Sequence, residues 1–344
     1  MFVRIPTLRF KLADVFFLGA IAVWLVLKAQ QSQMSATLIL LRYYFGFYIF
    51  YLFFNNYRYR IDLEKLLFAI CIAVIIEAVL VNTIVSPMYL PNYPKSSVGG
   101  VMNFETRFLG FYQRPYSIGN NASITSTLIM VLVFTIDALK RSSGEKLTAR
   151  QMILATVAVI MLASGVGLMI YFLFWVFKIR PFKDVRRATF SILTILLIYL
   201  LIFGADIGAQ TGFEKISAIY INFLIDFKTM QVEDVYTQLK DVNGMFIGME
   251  FFSPNELVVW GDFAWNDLFY CTGYLGLFIT IGLLMIKINR LNKVPLLIFM
   301  LATFHYSAMY ALPGQMLLGY FFSTKFKLLA TDYERKARLK PELA

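Results

Sequence analysis

"SIGNNASITSTLIMVLVFTIDAL", residues 117–139, carries one charged residue, Asp137, and directly before it stands "RFLGFYQRPY", residues 107–116, with two arginines among aromatic side chains. A helix rises ~1.5 Å per residue and the hydrocarbon of a bilayer is ~30 Å thick, so about 20 apolar residues make a span. The stretch reads as a membrane span, and the basic segment as the loop that feeds it. Working outward, nine further stretches qualify: 12–29, 36–54, 66–86, 150–164, 166–179, 188–205, 266–286, 294–312 and 314–330. The pair 150–164 and 166–179 is short and is divided only by "SGVG". The expected fold is an all-α integral membrane protein of about ten transmembrane helices, a single polytopic domain over residues 1–344.

Composition agrees. Of the 344 residues 59% are hydrophobic and 15% charged, outside the range of a soluble globular domain. The net charge of +11 is spread as short clusters between apolar runs, so it reads as topology and not as a nucleic-acid surface. Placing the N-terminus inside puts 24 of the 32 Lys and Arg residues in the inner loops and the C-terminal tail. Both termini are then cytoplasmic. The N-terminal apolar run is long for a signal peptide and is read as a retained first span. Cys71 and Cys271 fall in separate apolar runs and form no disulfide framework or metal knuckle.

Two substantial segments fall outside, 87–116 and 206–265. The first is rich in Pro, Gly and Tyr and predicts irregular backbone over the bundle. The second, around "EKISAIYINFLIDFKTMQVEDVYTQLKDV" (214–242), predicts an amphipathic helix on the outer surface. Internal repeats are not evident, which counts against repeat-built transporters.

Several residues need a reason. Arg107 and Arg114 lie outside, where the charge bias leaves few basic residues, just ahead of a helix start. Guanidinium groups bind phosphate bidentately and a helix N-terminus favours an anion, so the pair could clamp a pyrophosphate. Pairing with acids such as Glu105, or with lipid head groups, is the alternative. Arg42, Glu77 and His305 come out at similar depth within spans, where ionisable groups are costly unless paired or lining a wet cavity. A structural Arg42–Glu77 pair and a core-bonded histidine are the plainer readings. Asp262 and Asp267 stand beside Trp260 and Trp265 where the chain re-enters the bilayer. The tryptophans suit interfacial anchoring, and the acids are either solvated or one is a general base. No phosphate-binding loop, nucleophile elbow or Cys/His cluster is present, so no metal and no cofactor is expected.

The layout resembles the bacterial O-antigen polymerase and ligase superfamily, with the Wzy-type polymerases the closer half. The likeness rests on "RFLGFYQRPYSIGNN" (107–121) before a span, "MLASGVGLMIYFLFWVF" (161–177), a large outer loop ending in "GMFIGMEFF…WGDFAWNDLFYCTGYLGLF" (244–278), and "FHYSAMYALPGQMLLGYFF" (304–322). It implies a metal-independent, inverting glycosyltransferase bundle of the GT-C type at the periplasmic face of the bacterial inner membrane. The growing glycan would pass from undecaprenyl pyrophosphate to an acceptor repeat unit. Partners are the lipid-linked donor and acceptor, membrane lipids and, as a further candidate, a chain-length regulator. Arg107, Arg114 and Arg42 are the candidates for the pyrophosphate, Glu77, His305 and Asp262 for the general base, and Tyr112, Tyr116 and Trp265 for sugar or lipid-carrier contacts. Val166 follows "SG" where many relatives carry arginine. A ligase would carry a histidine in its large outer loop, and 206–265 has none. A lipid-linked oligosaccharide flippase or anion transporter is the competing class, marked by charges near the midplane, discontinuous helices and two related halves.

Overall fold

The computed structural model describes residues 12–56, 60–84, 95–98, 101–104, 107–108, 112–119, 121–178, 218–239, 242–253, 263–289, 292–304 and 306–339. The described chain is mostly helical. In order it forms α1 (Leu12–Gln31), α2 (Met34–Asn56), α3 (Leu63–Thr83), the hairpins β1 (Lys95–Val98) with β2 (Val101–Phe104) and β3 (Arg107–Phe108) with β4 (Tyr112–Gln113), then α4 (Ala122–Ser142), α5 (Ala149–Leu162) and α6 (Gly165–Lys178). There follow α7 (Ala218–Gln238), α8 (Val242–Ile247), α9 (Ala264–Lys287), α10 (Lys293–Thr303), α11 (Leu312–Phe322) and α12 (Thr324–Leu339). Five of these, α1, α2, α3, α4 and α9, are long and apolar enough to cross a membrane, which makes this a membrane protein.

At the centre is α4. It is enclosed on all sides: every residue from Ala122 to Asp137 is buried, the hydroxyls of Ser126, Thr127 and Thr135 bonding to carbonyls of the same helix. Its start is fixed by Asn121, whose side chain accepts from the backbone N–H groups of Ser123 and Ile124. The helix therefore begins at 122, five residues after the expected start, and 117–119 is a separate 3-10 turn. Around it pack α3, α5, α6, α10 and α12.

The end of the bundle where α1 begins is held by two polar networks, one buried and one half-buried. Lys287 donates to Asp14 Oδ1 (2.6 Å), and the hydroxyls of Tyr48 and Tyr51 donate to the same carboxylate, tying α1, α2 and α9. Glu64 accepts from Lys140 (3.0 Å), Gln151 (2.6 Å) and Tyr333 (3.1 Å), tying α3, α4, α5 and α12. In the Asp14 set, which is shut off from solvent, removing one partner costs ~3–5 kcal/mol, because it strands a charge; the Glu64 set is partly open to solvent and worth less. We call this the near end.

Three features depart from the expected layout. The ninth and tenth expected spans, 294–312 and 314–330, are not full spans: α10 and α11 have 11 residues each, a length of ~16 Å, half the hydrocarbon. Their bases are joined at the near end, where Asn292 Nδ2 donates to the carbonyls of Lys287 (3.0 Å) and Phe321 (3.2 Å). Together they make a hairpin that enters from the near end and turns back at mid-depth, while the chain after Ser323 continues as the amphipathic α12. Pro313 and the interruption at 304–311 prevent one continuous helix.

The second departure is a break in α9. Gly273 has φ 65° and ψ −169°, outside the helical region and open only to glycine without strain. A straight helix of 24 residues would be ~36 Å long. Yet α9 and the shorter α10 meet at both ends: Asn292 joins their bases, Phe263 stacks on Phe304 at 5.9 Å, and Trp265 Nε1 donates to Met300 O (3.3 Å). The half of α9 before Gly273 therefore leans across the bundle.

The third concerns the large segment 206–265. Part of it forms the expected helix, α7, which meets the leading half of α9 through a bond from Asn266 to Gln231 O. Residues 248–251 instead pass into the bundle beside α1: Gly248, at φ 83°, lies backbone to backbone against Cys271 and Gly273. In 87–116, backbone expected to be irregular contains the two short hairpins. The seventh expected span, 188–205, lies outside the described residues.

Helices α2 and α11 approach each other closely. A Cβ on Gly319 would stand 2.6 Å from Phe50 Cβ and from Tyr51 N, whereas one on Gly19 would meet nothing within 4 Å. Gly319→Ala is expected to lower the melting temperature of the purified protein by ~3 °C or more, with Gly19→Ala unchanged. Equal melting of the two variants would refute this account of the contact.

Candidate functional site

The segment between β4 and α4 is anchored at two depths. Asn82, near the far end of α3, accepts the N–H of Gln113 (2.8 Å) and donates to its carbonyl (2.9 Å), as a neighbouring strand would. Five residues nearer the bundle middle, ~7 Å lower along the helix, Glu77 Oε1 accepts from the N–H groups of Tyr116 (2.9 Å) and Ser117 (3.2 Å). The chain thus dips into the bundle after 113 and returns through the turn Ser117–Gly119 to the cap at Asn121. Thr125 Oγ1 closes the dip, donating to Tyr116 O (2.5 Å) and accepting from Gly119 N (3.0 Å). Ser117 is held at φ 50°, an unusual conformation for a non-glycine residue. Such strain persists only where the surroundings over-determine the backbone.

Arg114 stands between the two anchors. Its side chain is half-buried, and its Nε is shut off from solvent with no hydrogen-bond partner among the described residues. A buried guanidinium N–H without an acceptor is uncommon, and an anionic ligand is one group that would supply it. The β3–β4 register sets Arg107 opposite Gln113, which brings its backbone beside that of Arg114. Tyr116 is buried, and the Tyr112 hydroxyl donates to Met161 O (2.7 Å) at the end of α5. Burial pushes the Tyr112 phenol up to about 12, so it remains a neutral donor at physiological pH.

A second polar cluster lies at mid-depth, around the tip of the α10–α11 hairpin. Gln315 Nε2 donates to the carbonyls of Tyr310 (2.7 Å), Tyr43 (2.6 Å) and Arg42 (3.1 Å), joining the hairpin to α2. The rings of Tyr43, Tyr44 and Tyr310 form a triangle with centroids 5.0 to 5.9 Å apart. Asp267, 1% exposed on the leading half of α9, acts electrostatically on all three and on Cys271.

Of the residues singled out in the sequence, the structure brings together Glu77, Tyr112, Arg114 and Tyr116. Arg42 is exposed on α2, ~12 Å below its far end, and no ion pair joins it to Glu77 among the described residues. Trp265 is half-buried and bonded to α10. Asp267 is buried, not solvated. Asp262, His305 and Trp260 lie outside the described residues, as does the side chain of Arg107. Asn82, Gln315 and the tyrosine triangle were passed over because they carry no formal charge; uncharged amides inside apolar runs were the available signal. Among the described residues no group of three or more His, Cys, Asp or Glu could hold a metal ion.

Each bond to a charged acceptor contributes ~1.5–3 kcal/mol. Glu77→Ala should therefore speed hydrogen exchange at the Tyr116 and Ser117 amides at least ~10-fold, with the middle of α4 still protected. Unchanged exchange at 116 and 117 would show that Glu77 does not hold the dip. No protein-family model, no curated protein and no solved structure matches the chain.

Proposed function

We propose that the chain is a polysaccharide polymerase: a glycosyltransferase that joins lipid-linked oligosaccharide repeat units at the periplasmic face of the bacterial inner membrane, with both termini in the cytoplasm. One observation carries the reading. Arg114 offers a buried guanidinium Nε–H, without a partner among the described residues, in a dip at the end of the bundle where the charge bias leaves few basic residues. The order and spacing of the quoted segments support the same class, and ten spans remain part of the proposal.

In that reaction an acceptor sugar hydroxyl attacks the anomeric carbon of the donor glycan. The bond from that carbon to the pyrophosphate oxygen breaks, and its electron pair leaves with undecaprenyl pyrophosphate. Without a metal, the developing charge requires preorganised donors in a low-dielectric site. Arg114 and Arg107 take that role from the dip, and Arg42 from α2 at mid-depth. The hydroxyl proton passes to a base, for which Asp262 and His305 are the candidates. Glu77 is better suited to positioning, since its Oε1 already receives two backbone N–H groups. Tyr112 and Trp265, both half-buried, would offer ring surface to sugar or carrier; Tyr116 is buried and would act only by shaping the dip. No cofactor is needed, and nucleic acid has no part.

The test is a purified-protein assay with a defined undecaprenyl-pyrophosphate repeat unit, read for longer glycans. Arg114→Ala should lower the rate ~100-fold with normal expression, and Arg114→Lys should restore only part of it, because a lysine cannot bond bidentately. Full activity of Arg114→Ala would exclude the clamp.

A transporter is the second reading, favoured by one specific observation: α9 is discontinuous at Gly273 and meets a hairpin of half-length helices, the architecture of many substrate sites at the bilayer midplane. Lipid-linked substrate crossing reconstituted vesicles without sugar transfer would select it over the polymerase. The O-antigen ligase is less favoured, for want of a histidine in 206–265.

A further inference from the structure

The near end of the bundle carries a groove on its flank, between α3 and α5, with a volume of about 540 Å³. Exposed Lys65 and Arg150 stand at its mouth. Beyond them the walls are apolar: Leu67 and Phe68 on α3, Cys71 one turn deeper, and Leu154 facing them from α5. α3 is one of the five helices able to cross a membrane and begins at Leu63, so Cys71 lies ~12 Å along it. The groove therefore runs from the level of the lipid head groups into the hydrocarbon. A water-soluble ligand gains nothing from walls at that depth, whereas a lipid chain fills them.

The mouth is basic. Glu64 also lines it, but its carboxylate is taken by Lys140, Gln151 and Tyr333. Lys65 reaches Asp62 at 3.4 Å, with both side chains open to solvent, a pair that holds neither partner firmly. Arg150 has no acidic partner among the described residues. Its guanidinium lies over the Phe68 ring, 4.8 Å from the centroid, and so rests on the wall of the groove at its open end. It also stands in the first turn of α5, where no acid accompanies it and the positive pole of the helix dipole opposes a cation. Beside it Thr148 Oγ1 accepts from Gln151 N and keeps its own proton to donate.

We propose that the α3–α5 groove binds one anionic phospholipid from the leaflet at the near end, its phosphate held by Arg150 with Lys65 and Thr148, and an acyl chain lying along Leu67, Cys71 and Leu154. The head group follows from the mouth. A guanidinium and an ammonium without firm acidic partners call for an anion, and the guanidinium fork matches a phosphate. A zwitterionic lipid would bring its own cation to a mouth that is already basic, and a free phosphate would leave the apolar walls bare. The bound lipid ties the start of α5 to α3 at the level where Gln151, the neighbour of Arg150, bonds to Glu64. It thereby reinforces the half-buried network of the near end. The groove lies at the opposite end of the bundle from the dip, and the site is independent of the transferase reading.

The test is thermal unfolding of the purified full-length protein in detergent micelles doped with phosphatidylglycerol or, in parallel, with phosphatidylcholine. The melting temperature should rise saturably with phosphatidylglycerol, by ~3 °C or more, through mass action on the folded state, and respond little to phosphatidylcholine. Arg150→Gln should shift half-saturation ~10-fold upward, the effect of losing a charged hydrogen-bonding partner of the phosphate. Leu154→Trp, which fills the groove, should abolish the rise. Lys327→Ala removes an exposed charge of α12 outside the groove and should leave the response unchanged. If Leu154→Trp does not fold, Arg150→Gln decides alone. Identical melting in the two lipids overturns the proposal, as does an equal rise with inorganic phosphate, or a response that Lys327→Ala weakens as much as Arg150→Gln.

Discussion

A peptide group that loses its helical partner inside a low-dielectric bundle must find another, because no water is present to replace it. That requirement organises this protein. At several of the described interruptions a side chain from another part of the chain arrives at the freed group. Trp24 takes the carbonyl of Thr272 at the break in α9, Asn292 takes those of Lys287 and Phe321 at the base of the hairpin, and Gln315 takes that of Tyr310 at its tip. Glu77 and Asn82 do the same for the N–H groups and carbonyl of the dip before α4.

These bonds explain why the irregular segments can be placed at depth at all. The full-length helices form a frame, fastened at the near end by the Asp14 and Glu64 networks and filled by α4. Within that frame the interrupted pieces converge: the dip at 114–119 touches α3, α4 and the start of α11, and the leading half of α9 meets the tip of the hairpin. Inside the bundle, the polar residues that could do chemistry or hold ligands are those brought inward by interruption. There the frame itself supplies apolar packing and little else.

The frame was legible in the sequence, because long apolar runs report burial in lipid directly. Spans at 12–29 and 36–54 fall inside α1 and α2, the span at 66–86 overlaps α3 over 66–83, and the interval before α4 was correctly placed as a loop feeding a helix. The interruptions were not legible. Residues 294–312 are apolar enough to span, and nothing in their hydropathy shows that the helix stops at Thr303; that is decided by Asn292, Gln315 and the near contact of Gly314 with Ala308 O. Gly273 looks like an ordinary glycine in an apolar run, and its backbone conformation becomes necessary only once Gly248 is packed against it. The candidate site was read in part. Arg114, Glu77, Tyr112 and Tyr116, singled out through charge and aromatic content near a helix start, do lie together, whereas Asp267 was left as a solvated acid or a base, since the sideways lean of its half-helix depends on contacts with α10.

The hairpin of α10 and α11 carries a consequence for biogenesis. Machinery that passes apolar segments into the bilayer responds to stretches near 18 to 20 residues; residues 294–312 qualify by hydropathy, yet each folded helix of the hairpin has only 11 residues. Neither can be stable in lipid until Gln315 has the carbonyls of α2 to bond and Asn292 has that of Lys287. The two half-helices therefore enter as a pair, after α2 and α9 are already in place, and their docking is a late step in assembly. A variant that left α2 and α9 intact but weakened this docking would yield a protein correctly inserted, protease-resistant at its frame, and still immature.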